Sequence, residues 1–247
     1  MKRKTSTSPV AIVTGGGKRL GRQIALALAA NGYDVVVNFH ESGTGARRTV
    51  SEIKKMGRRA AAVRADVSKK KEVDALVATA MRQFQRVDIL VNNAARFVGG
   101  TILDTSEPSW NTMMNVNLKG MFLCSQAVAP IMLKQKVGHI INIVSLGGIQ
   151  AWSRHLAYSV SKAGAIMLTK CAAKSLAPTV RVNAIAPGTI VIKGEEDPAI
   201  GHVPKTGIPL SRYGAPSDII DIVLFLAQKA SYVTGQVFVI DGGRSIP

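Results

Sequence analysis

Short apolar runs alternate with helix-prone segments along the whole of this chain, and that alternation leaves few architectures open. Val10–Val13 leads into Thr14-Gly15-Gly16-Gly17-Lys18-Arg19-Leu20-Gly21, and Arg22–Asn31 then reads as a helix that Gly32 stops. Val35–Val37, Ala60–Val67, Ile89–Val91, Ile140–Val144, Val180–Ile185 and Val237–Ile240 read as further strands. Helical stretches lie between them at Gly45–Met56, Lys71–Phe84, a segment opened by Pro108, an apolar one at Val116–Leu133, then His155–Ala173 and Ser217–Ala227. Units of this kind close by right-handed crossovers, so the expectation is an α/β fold with a parallel sheet covered by helices on both faces. Residues 9–247 read as one domain behind a basic tail, 1–8, and a weakly patterned stretch at about 189–213 reads as a substrate loop.

The glycine turn is the first chemical signal. A turn from a strand into a helix collects unpaired N–H groups and the positive helix end at one spot, where a pyrophosphate can bind. An acid that grips an adenosine ribose belongs at the C-terminal end of the second strand, but Asp34 precedes Val35–Val37 and sits at the wrong end. The correct end reads Asn38-Phe39-His40-Glu41-Ser42. With no acid at position 38 and Arg19 in the turn, a 2′-phosphate is easier to accommodate than a bare hydroxyl. The expectation is NADP(H), with Arg19, His40 and Ser42 near the phosphate and Glu41 as a carboxylate that repels it if it points inward.

Tyr158 and Lys162 form the second signal. On a helix they stand one turn apart on the same face, a phenol beside an ammonium. A neighbouring cation favours the phenolate, so the pair can exchange a proton closer to neutrality than an isolated tyrosine. Taken alone, such a pair more often marks a solvated helix face.

Charge and sulfur narrow the classes. The net charge is +17, and residues 1–71 hold sixteen Lys/Arg against Asp34, Glu41, Glu52 and Asp66. That surplus suits a phosphorylated cofactor or an acidic carrier protein, or it simply solvates helix faces such as the one bearing Lys54, Lys55, Arg58 and Arg59. No nucleic-acid motif accompanies it, so nucleic acid is not expected. Met1–Pro9 is not followed by the apolar run of a signal peptide, and no stretch approaches the roughly 18 apolar residues of a membrane span, which predicts a cytoplasmic protein off the membrane. Cys124 and Cys171 read as buried reduced thiols, and with His40, His139, His155 and His202 at no ligand spacing, no metal is predicted.

Thr14–Gly21, Asn92-Asn93-Ala94, Asn117, Ser145, Tyr158-x-x-x-Lys162, Pro187-Gly188 and Asp241-Gly242-Gly243, in this order and spacing, resemble a short-chain dehydrogenase/reductase across essentially the whole chain. The resemblance implies a doubly wound Rossmann-type fold with a seven-stranded sheet, a nicotinamide cofactor at the switch point, and commonly a homotetramer. It makes Tyr158 the general acid toward a carbonyl oxygen and Lys162 its tuner and ribose ligand. Ser145 would hydrogen-bond the same oxygen, and Asn117 would support a water relay to Lys162. The cofactor contacts it implies are Gly15, Gly17, Lys18, Arg19, Leu20, Gly21, Asn38, His40, Ser42, Asp66, Val67, Asn93, Ala94, Tyr158, Lys162, Pro187 and Gly188. Asp66 would stand beside the adenine, and Asn92 would close the adenosine side.

Departures from the pattern bear on the substrate. Lys18-Arg19-Leu20-Gly21 and Asn93-Ala94-Ala95-Arg96-Phe97 are similar to the pteridine reductase branch, in which Phe97 would sandwich a pterin ring. Pteridine reductases typically carry an aspartate where this chain has Ser145, and the serine follows the pattern of ketone and alcohol enzymes. Because Ser145 stands at the reaction centre, the reading that leads is NADPH-dependent carbonyl reduction similar to that of 3-oxoacyl-[acyl-carrier-protein] reductases. Phe97, Ser145 and Tyr158 would meet the substrate, a small-molecule or acyl-thioester carbonyl, and an acidic acyl carrier protein is a candidate partner. Pteridine or dihydrofolate reduction is the alternative, and a non-catalytic NADP-binding protein of this fold a remote one.

Overall fold

The computed structural model describes residues 8–194 and 204–246. The strands are β1 Val10–Val13, β2 Asp34–Phe39, β3 Ala60–Arg64, β4 Ile89–Asn92, β5 Gly138–Ile143, β6 Val180–Pro187 and β7 Val237–Ile240. The helices are α1 Arg19–Ala30, α2 Gly43–Lys55, α3 Lys70–Phe84, α4 Glu107–Met113, α5 Gly120–Gln135, α6 Leu156–Leu176 and α7 Pro216–Gln228. All seven strands are parallel, in the order β3-β2-β1-β4-β5-β6-β7.

Alternation along β1 shows how the sheet is buried twice. Ala11 and Val13 pack with Ile24 and Leu28 of α1, Val50 and Ile53 of α2, and Val223 and Leu226 of α7. Val10 and Ile12 face the other way, onto Leu76 and Ala80 of α3 and Val128 and Met132 of α5. Both faces are apolar because both are covered, as a parallel sheet requires.

Four expectations need correction. The third strand ends at Arg64, not Val67, because the chain there turns into the Asp66–Ser68 loop, where Asp66 accepts hydrogen bonds from Ser68 N and Oγ. The segment read as two helices is one continuous run, Glu107–Gln135, joined by a π-helical turn at Met114–Lys119. By length and composition this run could span a membrane, contrary to the sequence reading. Its apolar stretch, 44% buried, is covered by β4, β5, α3 and α6, so its hydropathy reflects a core helix. Cys124 is buried as expected, but Cys171 is exposed, on the outward side of α6 with Val160 and Met167.

The basic tail up to Thr7, and Glu195–Val203 within the expected substrate loop, lie outside the described residues. The flanks of that loop are anchored by a bridge between Ile190 and Gly214 and by buried Ile192 and Ile208.

Candidate active site

The chemistry gathers at the C-terminal edge of the sheet, where β1 and β4 send their connections in opposite directions. This is the switch point at which open α/β sheets take ligands. Thr14 ties the two strand ends together. Its hydroxyl accepts from Asn93 N at 2.9 Å and Ala94 N at 3.0 Å and donates to Val91 O at 3.3 Å. The Asn93 side chain returns a hydrogen bond to Thr14 O at 2.9 Å.

The turn itself demands its glycines. Gly15 sits at φ +64°, and a Cβ on Gly21 would lie 2.4 Å from both Gly15 O and the Asn93 amide. A Cβ on Gly17 would come within 2.7 Å of Ser42 Oγ, so α2 and the turn close on each other there. Arg19 stands at φ +49°, the left-handed region that glycine ordinarily fills. No acid stands in the first turn of α1, whose entry is Lys18-Arg19. A helix N-terminus has no intrahelical acceptors for its first-turn N–H groups, and one entered through two cationic residues suits a dinucleotide pyrophosphate. The residues present therefore fit a nicotinamide dinucleotide, with Gly15–Gly21 holding its phosphates.

Other expected contacts divide. His40 and Ser42 stand at the end of β2, near Lys18 and the turn. Asn38 belongs beneath the cradle: 1% exposed, it accepts from Gly15 N at 3.3 Å and donates to Ala65 O at 3.0 Å. Val67 is buried against Gly120, with its side chain in the apolar core. Asn92 closes no pocket; its amide points under the sheet to Ser125 Oγ and Asn142 Oδ1. Asp66 carries a lowered pKa: burial pushes it up, but the Ser68 hydrogen bonds and the nearby cations outweigh that. Gly188 follows Pro187 at the end of β6, pressed so closely on Asp241 that a Cβ would meet its Cα at 2.8 Å.

The catalytic candidates converge one strand further along. Ser145 follows β5 in extended conformation, accepts from Gly147 N at 3.1 Å and stands beside the Tyr158 phenol. Lys162 is 2% exposed, donates to Ile143 O at 2.8 Å, and lies 5.8 Å from the centre of the Tyr158 ring. Gly148 lets this loop sit on α6, where a Cβ would meet Lys162 C at 2.7 Å. Asn117, in the π turn, accepts from Arg96 N at 2.8 Å and donates to Arg96 O at 3.0 Å and to Ser161 Oγ at 3.1 Å. Its side chain braces the loop after β4 against α6 and does not reach Lys162.

The electrostatics differ from the sequence expectation. Burial raises the Tyr158 phenol above its usual range, with the Ser145 hydrogen bond pulling the other way, and burial pushes Lys162 down to about 8. In the protein by itself desolvation outweighs the attraction between ammonium and phenolate, because it penalises both charged forms.

Three rings that spacing did not connect enclose the phenol. Phe97 stacks on His155 with centroids 4.6 Å apart and meets Tyr158 edge-on at 4.7 Å, while Trp152 lies parallel to Tyr158 at 6.2 Å. Phe97 is thus a wall residue, 45% exposed, shared with Trp152 and His155. The only local signal for the latter pair was their position in the loop between Ser145 and Tyr158.

Comparison with known proteins places the whole chain in a family. A family profile described as enoyl-(acyl carrier protein) reductase matches residues 17–245. A 3-oxoacyl-[acyl-carrier-protein] reductase of Synechocystis sp. is 44% identical over 96% of this chain and 97% of its own. A 3beta-hydroxysteroid dehydrogenase of Eggerthella lenta is 41% identical over 95% and 93%. The crystal structure of a short-chain type dehydrogenase/reductase from Mycobacterium marinum superposes with a TM-score of 0.91 at 31% identity, covering 98% of this chain and 97% of that one. With a family profile spanning residues 17–245 and relatives matched almost end to end, the chain belongs to the short-chain dehydrogenase/reductase family of oxidoreductases.

Proposed function

We propose that this protein reduces a ketone to a secondary alcohol with NADPH, and that its substrate is a 3-oxoacyl thioester presented by an acidic acyl carrier protein. The observation that carries the reading is the Tyr158 phenol, standing beside Ser145 and backed by buried Lys162. The nicotinamide cofactor, when bound, supplies the hydride. The Ser145 hydroxyl, oriented by Gly147 N, hydrogen-bonds the substrate carbonyl oxygen, and the Tyr158 hydroxyl donates its proton to that oxygen as negative charge develops there. Protonated Lys162, anchored on Ile143 O, offsets the phenolate left behind and holds a ribose hydroxyl. Asn117 keeps the β4 loop and α6 in register through Arg96 and Ser161.

NADP(H) is preferred over NAD(H) because Lys18 and Arg19 enter α1 from the glycine turn and His40 follows β2, while Asp34 is consumed at the other end of β2 by Arg58 and Arg59. The net charge of +17 suits an acidic carrier. Phe122, Val160 and Met167, left exposed on α5 and α6, suit packing against further copies in a homotetramer. Two free cysteines suit the cytoplasm.

One observation favours a second reading. The wall of Phe97, Trp152 and His155 would also take a flat ring, as in a pteridine. NADPH oxidation on matched panels of acetoacetyl thioesters, dihydropteridines and ring ketones separates the two. A preference of at least about tenfold in kcat/KM for the thioester is expected, equivalent to ~1.4 kcal/mol of transition-state binding. The same margin for a dihydropteridine would hand the site to the second reading.

A further inference from the structure

An ion pair outside the hydride-transfer machinery crosses the cofactor cradle. Glu41 stands just beyond β2, which ends at Phe39, and Arg96 just beyond β4, which ends at Asn92. Since β1 lies between β2 and β4, a link from Glu41 to Arg96 passes over the C-terminal end of β1 and hence over the glycine turn. The Arg96 guanidinium donates to the Glu41 carboxylate. His40 Nδ1 lies 3.8 Å from the same oxygen, and Lys18 adds a further positive charge nearby. The Arg96 hydrogen bond, followed by these charges, lowers the Glu41 pKa, so the carboxylate is ionised at neutral pH.

The pair contributes little to stability. Its side chains are 45% and 61% exposed, and ion pairs in that setting are worth ~0–1 kcal/mol. What it changes is the charge at one place. Glu41 is the only acid between Asn38 and Ser42, the stretch that meets an adenosine ribose. Left free, a carboxylate there would accept hydrogen bonds from a ribose diol and repel a 2′-phosphate carrying about −1.5 to −2 charges, by analogy with other phosphate monoesters. Such a glutamate would favour NAD(H). Arg96 reaches it from a loop already fixed by Asn117, which accepts from Arg96 N and donates to Arg96 O.

We infer that Arg96 is a specificity-determining residue: by holding Glu41 it removes the one carboxylate that would turn the site from NADP(H) toward NAD(H). This rests on the NADP(H) reading proposed above. The test is direct binding, with NADPH and NADH fluorescence titrated against the full-length wild type, Arg96→Ala, Glu41→Gln and the double variant. Arg96→Ala is expected to raise the NADPH Kd about tenfold while leaving that for NADH unchanged or lower. Glu41→Gln should bind NADPH at least as tightly as wild type. In the double variant NADPH affinity should return to within about twofold of wild type, because with no carboxylate to hold, the arginine is dispensable. If Arg96→Ala leaves the NADPH-to-NADH ratio within about twofold, or if the double variant keeps the whole loss, the inference is overturned; the second result would mean that Arg96 grips the cofactor itself. A wild type that binds NADH as tightly as NADPH sinks the underlying NADP(H) reading, and that outcome is read from the wild type alone.

Discussion

At the scale of single residues, Lys162 is the most exposed to a quantitative test. Its ammonium is buried with one carbonyl partner, and burial pushes its pKa down to about 8. As pH rises through about 8 the side chain loses its proton, and with it the positive charge that offsets a phenolate at Tyr158. Reduction should therefore lose efficiency on the alkaline side. The kcat/KM for NADPH, which reports groups of the free enzyme, is expected to fall above pH about 8, and Lys162→Arg, charged throughout, should abolish that limb while lowering the rate overall. A profile level to pH ~9.5 in the wild type would show that the lysine charge is not needed. Arg19 makes a second point at this scale. An arginine at φ +49° costs ~1–2 kcal/mol relative to a right-handed residue, strain of a kind that tends to persist at functional sites.

Among the elements, β5, β6 and α7 are locked by a buried polar cluster remote from the chemistry. His139 on β5 is 1% exposed, with Nδ1 at 2.8 Å from Leu226 O and Nε2 at 2.9 Å from the Asn183 amide. The partners assign the tautomer: Nδ1–H donates to the carbonyl, and Nε2 accepts from the Asn183 amide. A second proton would set N–H against N–H, and burial with the nearby Arg181 lowers the His139 pKa to about 3. The unfolded chain, near 6.5, takes up the proton first, so stability is lost as pH falls from about 6.5 toward 3. In urea titrations between pH ~4 and ~6, His139→Gln is expected to remove ~1.4 kcal/mol per pH unit from the slope of unfolding free energy. An unchanged slope would place the proton uptake elsewhere. The long helical run teaches a different lesson. Asn115, Asn117 and Lys119 interrupt its apolar period, so the sequence suggests a break, whereas the backbone absorbs the interruption as one π turn and aims Asn117 at Arg96 and Ser161.

Across the whole molecule, what was legible in the sequence was what depends on local spacing. Val10–Gly21, the order of the alternating strands, and Tyr158 one turn from Lys162 all follow from periods and turns, and the structure keeps that order with only the end of β3 moved. Quantities set by distant parts of the chain were not legible. Glu41 meets Arg96 across 55 residues, Phe97 meets His155 with α4, α5 and β5 between them, and the direction of the Tyr158 shift depends on how completely the fold excludes water. Part of the basic charge is likewise taken up in ion pairs. Arg58 and Arg59 neutralise buried Asp34, Arg22 and Arg48 pair with Glu52, and the cavity of about 380 Å³ beside Lys54, Arg58 and Arg59 opens near the start of β3, at the sheet edge opposite the glycine turn.

Carbonyl reduction here turns on one proton, carried by Tyr158. Tyr158→Phe keeps the ring among Phe97, Trp152 and Lys162 and removes only the hydroxyl. Measured side by side, NADPH-dependent reduction of an acetoacetyl thioester should fall by about 10²–10⁴-fold, the span expected for a lost general acid, while the NADPH Kd stays within about twofold of wild type. Turnover retained within about tenfold of wild type would show that another group delivers the proton and would contradict the assignment.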